Sequence, residues 1–83
     1  MEYKIVLIKV EKRTSSASEV QKILTDYGSN IRVRLGLHDC VDNNNCSSCG
    51  LIFLEICGDE AVIGKMIDAL NVLKGISVKY LKI

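Results

Sequence analysis

Two stretches of this chain are apolar on both sides of an extended backbone. Near the N-terminus Ile5 and Leu7 alternate with Val6, Ile8 and Val10; later Ile52, Leu54 and Ile56 alternate with Leu51, Phe53 and Cys57. A strand that is apolar on both faces belongs in the middle of a sheet, with another layer packed on at least one side. Each stretch opens the same series of elements. Tyr3–Glu11 is rich in β-branched and aliphatic residues and reads as a strand. After a polar stretch, Ser16 with Glu19 three residues later forms a capping-box signature. Val20, Ile23, Leu24 and Tyr27 then fall on one helical face, with Gly28 as the stop. In the next segment Ile31, Val33, Leu35 and Leu37 alternate with Arg32, Arg34, Gly36 and His38, which predicts a strand with its apolar row against the helices.

The second series begins with Leu51–Cys57, a nearly continuous apolar run bearing one charge, Glu55. Gly58-Asp59 breaks it and offers Asp59 as an N-cap. Ile63, Met66, Ile67, Leu70 and Leu73 trace a second amphipathic helix ended by Gly75, and Ile76–Ile83 closes the chain as a strand. Strand–helix–strand taken twice, with right-handed crossovers, gives an α+β fold of the ferredoxin-like βαββαβ type. It is a four-stranded antiparallel sheet with two helices on one face and the first and third strands central. Residues 1–83 are expected to form one domain. The sheet face away from the helices is then an apolar strip, which predicts a homo-oligomer, dimer or tetramer, joined through that face or the sheet edges. The alternative is a solvated sheet with a few exposed aliphatics.

Hydrophobic residues at 48% and charged residues at 25% describe a globular chain, and a net charge of +1 gives no reason to expect direct nucleic-acid contact. The first ten residues, MEYKIVLIKV, are interrupted by Glu2, Lys4 and Lys9, so no signal peptide is expected. Nothing approaches the length of a membrane span. The expected location is cytoplasmic, where thiols stay reduced and favour metal or redox chemistry over a disulfide framework.

That matters for "HDCVDNNNCSSCG", residues 38–50. His38, Cys40, Cys46 and Cys49 have the number and type of ligands that tetrahedral zinc takes, and the Cys46-x-x-Cys49 spacing is that of a zinc-knuckle turn. The His38-x-Cys40 half fits less well. If the strand continues through it, the two side chains share a face about 7 Å apart, so the loop must bend at Asp39. Iron bound as an iron–sulfur cluster would need another cysteine pattern, or ligands shared between subunits. The cofactor thus stays open between zinc, iron and none. A redox-active pair is less well matched, because "CSSCG" precedes a strand and not a helix N-terminus that would lower a thiol pKa. The plain alternative is a polar hairpin connection with incidental thiols. Cys57 lies about 26 Å of extended chain beyond Cys49 and is expected to be a small apolar residue buried in the sheet.

Arg32, Arg34 and His38 are expected on one side of the second strand. With Lys79 on the last strand they could border an oligomer cleft and hold a small anion, or simply guard a solvated edge. Enzyme signatures are missing: no phosphate-binding Gly-rich loop occurs, and capping accounts for Asp59-Glu60 and for Ser15, Ser16 and Ser18.

"IRVRLGLHD" running into "GLIFLEICGDE", then an amphipathic helix and "LKGISVKYLKI", resembles the small ACT-like proteins known as iron-only hydrogenase system regulators. The resemblance covers most of the chain from Tyr3 onward and is sharpest at Arg34-Leu35-Gly36-Leu37 and the Gly75 turn. It implies a βαββαβ fold, assembly into dimers or tetramers, similarity to the regulatory domain of the nickel-responsive repressor, and a regulatory role. Two departures stand out. The first strand–helix connection, "EKRTSSASE", lacks the glycine-containing turn of many amino-acid-binding ACT domains. The nickel repressor's three histidines and one cysteine have no counterpart in a chain with one histidine. The reading that follows is a non-enzymatic regulatory domain sensing a small ligand as a homo-oligomer, with an iron-only hydrogenase system as the regulated target. A small metal- or redox-sensing protein using His38, Cys40, Cys46 and Cys49 is the alternative, and an adaptor docking another protein on the apolar sheet face is a third.

Overall fold

A computed structural model describes residues 1–11, 15–38 and 50–83, with the backbone alone at His38. The elements run β1 (Lys4–Val10), α1 (Ala17–Asp26), a single 3-10 turn (Gly28–Asn30), β2 (Ile31–His38), β3 (Gly50–Ile56), α2 (Glu60–Asn71) and β4 (Ile76–Lys82). The strands form one antiparallel sheet in the order β2-β3-β1-β4, so the two strands that are apolar on both faces are the central pair. The ferredoxin-like βαββαβ expectation is met.

Alternation within β1 sends Val6 and Ile8 into the core, where both are fully buried with Leu54 and Ile56 of β3. The helices close over them. α1 contributes Val20 and Leu24; α2 contributes Ile63, Met66 and Leu70; Ile23, Tyr27, Ile67 and Leu73 pack around the margin. These are the residues that the 3.6-residue spacing selects. Past the strand ends the β1–β4 ladder continues, with Tyr3 and Ile83 exchanging backbone hydrogen bonds of 2.7 and 2.9 Å and the Glu11 N–H donating to the Gly75 carbonyl at 2.9 Å.

The helix ends differ from one another. Asp59 caps α2, its carboxylate accepting from the Ala61 N–H at 3.2 Å with extended backbone (φ −73°, ψ 137°). Ser16 sits at the N-cap of α1, but its backbone (φ −92°, ψ 3°) is not extended and its side chain makes no cap hydrogen bond. The expected capping box therefore does not form; Glu19 instead accepts from the Ser18 hydroxyl at 3.1 Å. No helix among the described residues is long and apolar enough to cross a membrane.

Candidate functional site

The chemistry of the sheet depends on which side chains face away from the helices, and in β2 that choice turns on one residue. Ile31 pairs with Ile56 on the helix side, yet Val33 pairs with Glu55, leaving Arg32 as an extra residue between them. Such a bulge reverses the facing of everything beyond it. Val33, Leu35 and Leu37 consequently lie on the open face, at 44%, 52% and 47% exposure. This corrects the expectation that they pack against the helices.

The open face is laid out in three rungs. At the Ile5 end stand Val33, Glu55, Ile5 and Leu81; at mid-height stand Leu35, Phe53, Leu7 and Lys79. At the far end stand Leu37, Leu51, Lys9 and Ser77. On this face β2 is apolar throughout, β3 and β1 are apolar except for Glu55 and Lys9 at opposite ends, and β4 carries Ser77 and Lys79 beside Leu81.

The bulge also separates the two arginines. Arg34 pairs with Leu54 on the helix side, where its guanidinium donates to the Gln21 side-chain oxygen of α1. Arg32 reaches Glu55 of the open face at 3.8 Å. Lys79 stands on the opposite edge strand. Arg32, Arg34 and Lys79 therefore do not line one cleft within a chain, contrary to their shared side in the sequence reading.

Of the candidate metal ligands, Cys40, Cys46 and Cys49 lie outside the described residues, and of His38 only the backbone is described, paired with Gly50. That pairing fixes the two ends of the 39–49 connection side by side. Among the described residues no group of three or more His, Cys, Asp or Glu is placed to hold a metal ion. Cys57 is half-buried just past the end of β3 and not within the sheet, a free thiol whose backbone N–H donates to the Asn30 carbonyl at 2.8 Å. The Asn30 amide donates back to the Cys57 carbonyl at 3.0 Å.

Sequence reasoning missed a charged cluster at the start of α2. Glu60 was expected only to favour the helix N-terminus. Its carboxylate accepts from Lys4 at 3.1 Å, Lys82 at 3.2 Å and the Tyr80 hydroxyl at 3.1 Å. Lys4 also donates to the Gly58 carbonyl at 3.0 Å. The hydrogen bond from Lys4, then that from Lys82, holds the Glu60 carboxyl below its ordinary range. Burial first, then Glu60, pushes the Tyr80 phenol up; Glu60 likewise raises Lys82. Only part of this was legible: alternation puts Lys4 on the side of Val6 and Ile8, whereas the meeting with Tyr80 and Lys82 depends on the β1–β4 register.

Comparison with known proteins gives a family for the sequence and relatives for the fold. The family described as "TM1266-like: Iron-only hydrogenase system regulator, putative" matches residues 2–80. No curated protein matches the sequence. Among solved structures, the uncharacterized protein TM1266 from Thermotoga maritima is similar at 25% identity, with 100% of this chain and 99% of that chain covered and a TM-score of 0.82. CPII from Thiomonas intermedia K12, a nitrogen regulatory PII-like protein bound to ADP, AMP and bicarbonate, shares the fold at 11% identity, with 100% and 93% covered and a TM-score of 0.62. A dimeric ferredoxin-like protein from an uncultured marine organism does so at 11% identity, with 99% and 92% covered and a TM-score of 0.52.

Proposed function

This chain belongs to the TM1266-like iron-only hydrogenase system regulator family, and from that premise we propose that it is a non-enzymatic regulatory domain that senses a small ligand as a homo-oligomer. Residues 1–83 act as one unit, in the cytoplasm, without direct contact to nucleic acid, and the regulated target is an iron-only hydrogenase system. The observation that carries this reading is the open sheet face, where Leu35 is 52% exposed and Leu37 47% along the β2 edge of an apolar field. A lone domain seldom leaves such a surface to water. The test is native mass spectrometry over a range of chain concentrations, joined to a thermal-shift screen. The screen starts with ADP, AMP and bicarbonate, which the Thiomonas protein of the same fold binds, and continues through amino acids and small anions, for which Arg32 on the open face and Arg34 on the helix side are separate candidate contacts. An oligomer stabilised by one of these ligands is the expected result. A monomer that no ligand stabilises would sink the proposal.

A second reading, a metal or redox sensor, is favoured by the His38–Gly50 pairing. It sets the His38 backbone beside Gly50, the residue that follows Cys49 in the sequence, so a bend at Asp39 would let His38, Cys40, Cys46 and Cys49 converge on zinc or iron. Stoichiometric metal that copurifies with the chain and is lost from the Cys46→Ser/Cys49→Ser variant is the expected outcome. Metal retained by that variant would exclude the site.

A further inference from the structure

The open face carries its charges in an arrangement that fits a second copy of itself. With β2 on the left, β4 on the right and β1 pointing up, strands stand about 4.8 Å apart and outward residues about 6.8 Å apart along each strand. A diagonal drawn from Leu37, at the top of β2, to Leu81, at the foot of β4, passes between Phe53 and Leu7. Every residue on or beside the centre of that line is apolar. Glu55 lies on one side of it. Lys79 and Lys9 lie on the other, at comparable offsets, and among the described residues no carboxylate pairs with either lysine.

Strand twist singles out the same line. With right-handed crossovers behind the sheet, the right-handed twist of the strands lifts the Leu37 and Leu81 corners out of the open face and drops the other two. Two such saddles meet along their raised diagonals, which is how sheets pack with strands nearly perpendicular. Rotation by 180° about the diagonal then sets Leu37 against Leu37 and Leu81 against Leu81. It lays the Phe53–Leu7 centre on itself and brings Glu55 of one copy to within about 3 Å, in projection, of Lys79 of the other. Sheets packed about 10 Å apart leave the span that a lysine and a glutamate side chain bridge together. Lys9 falls over Leu35 of the other copy, about 6 Å in projection from the same carboxylate.

We propose that the open sheet face is an isologous dimer interface, closed about the Leu37–Leu81 diagonal and set in register by two symmetric Glu55–Lys79 pairs between copies. The proposal rests on the homo-oligomer reading and adds the surface, the symmetry and the residues that set the register. The bulge at Arg32 is what makes the interface available, because it turns Val33, Leu35 and Leu37 outward.

The symmetry supplies the experiment. Glu55→Lys places lysine against lysine at both pairs of its own dimer, and Lys79→Glu places carboxylate against carboxylate. Each variant alone is expected to raise the dimer dissociation constant about tenfold or more. Mixed together, the two chains form a heterodimer in which both pairs are again opposite in sign. With one chain labelled with nitrogen-15, native mass spectrometry reads the homodimers and the heterodimer separately. Because Glu55 also meets Arg32 within its own chain, the deciding result is the rescue: a heterodimer favoured over both homodimers supports the interface. Variants that dimerise as the parent does, or a mixture with no heterodimer preference, overturn this geometry while leaving an oligomer through other surfaces. A parent chain that is monomeric at every concentration overturns the interface and the oligomer reading together.

Discussion

At single residues the fold makes demands that differ sharply between chemically identical positions. Gly58 has φ +114°, and a Cβ there would collide with the Asn30 side-chain amide that donates to the Cys57 carbonyl. Backbone strain of this kind costs about 1–3 kcal/mol, so Gly58→Ala should lower the thermal midpoint by roughly 10 °C in a calorimetric scan. Gly36, by contrast, sits in a strand where an added Cβ would meet no other atom within 4 Å. Gly36→Ala should leave the midpoint unchanged or raise it, which makes it the matched control. The break at Gly58-Asp59 was legible in the sequence because glycine before an N-capping aspartate is a local signal. The partner that makes glycine obligatory, Asn30, is twenty-eight positions away and could not be read.

Among the elements, α2 is tied to the sheet by electrostatics as well as by its apolar face. Glu60 in its first turn meets Lys4 of β1 together with Lys82 and Tyr80 of β4. A carboxyl held below its ordinary range contributes stability that is present above the unfolded carboxylate pKa and is lost as pH falls through the lowered folded value. Tyr80 and Lys82 are raised, so their contributions are present below the unfolded values and are lost as pH rises through the raised ones. The urea midpoint of the parent chain should therefore fall at both ends of the pH scale, and Glu60→Gln should flatten the acid limb. An unchanged acid limb in that variant would show that the cluster adds nothing to stability. The helices themselves were legible from their 3.6-residue spacing. The failure was β2, where Ile31 and Val33 are both apolar and an alternating pattern reads the same with or without a slip between them. Only the pairing with Ile56 and then Glu55 reveals Arg32 as the extra residue.

For the whole molecule, the core and the open face should respond to mutation in opposite ways. Leu54 is fully buried, so Leu54→Ala should cost about 2–5 kcal/mol at any chain concentration. Leu35 is 52% exposed, so Leu35→Lys should leave the isolated chain folded and act on association. A dimer makes the thermal midpoint rise with concentration; that rise should appear in the parent and vanish in Leu35→Lys, and a parent midpoint independent of concentration would contradict the oligomer. Order and type of elements, the central position of β1 and β3, and the helix faces were all determined by the sequence alone, because periodicity and turn chemistry are local properties of the chain. Tertiary structure alone decided which way the far part of β2 faces, that Arg32 and Arg34 stand on opposite sides of the sheet, and that Glu60 gathers two lysines and a tyrosine. Each of those depends on cross-strand register or on strands meeting a helix, and a facing direction that one inserted residue can reverse is set by the partner strand, not by the segment itself.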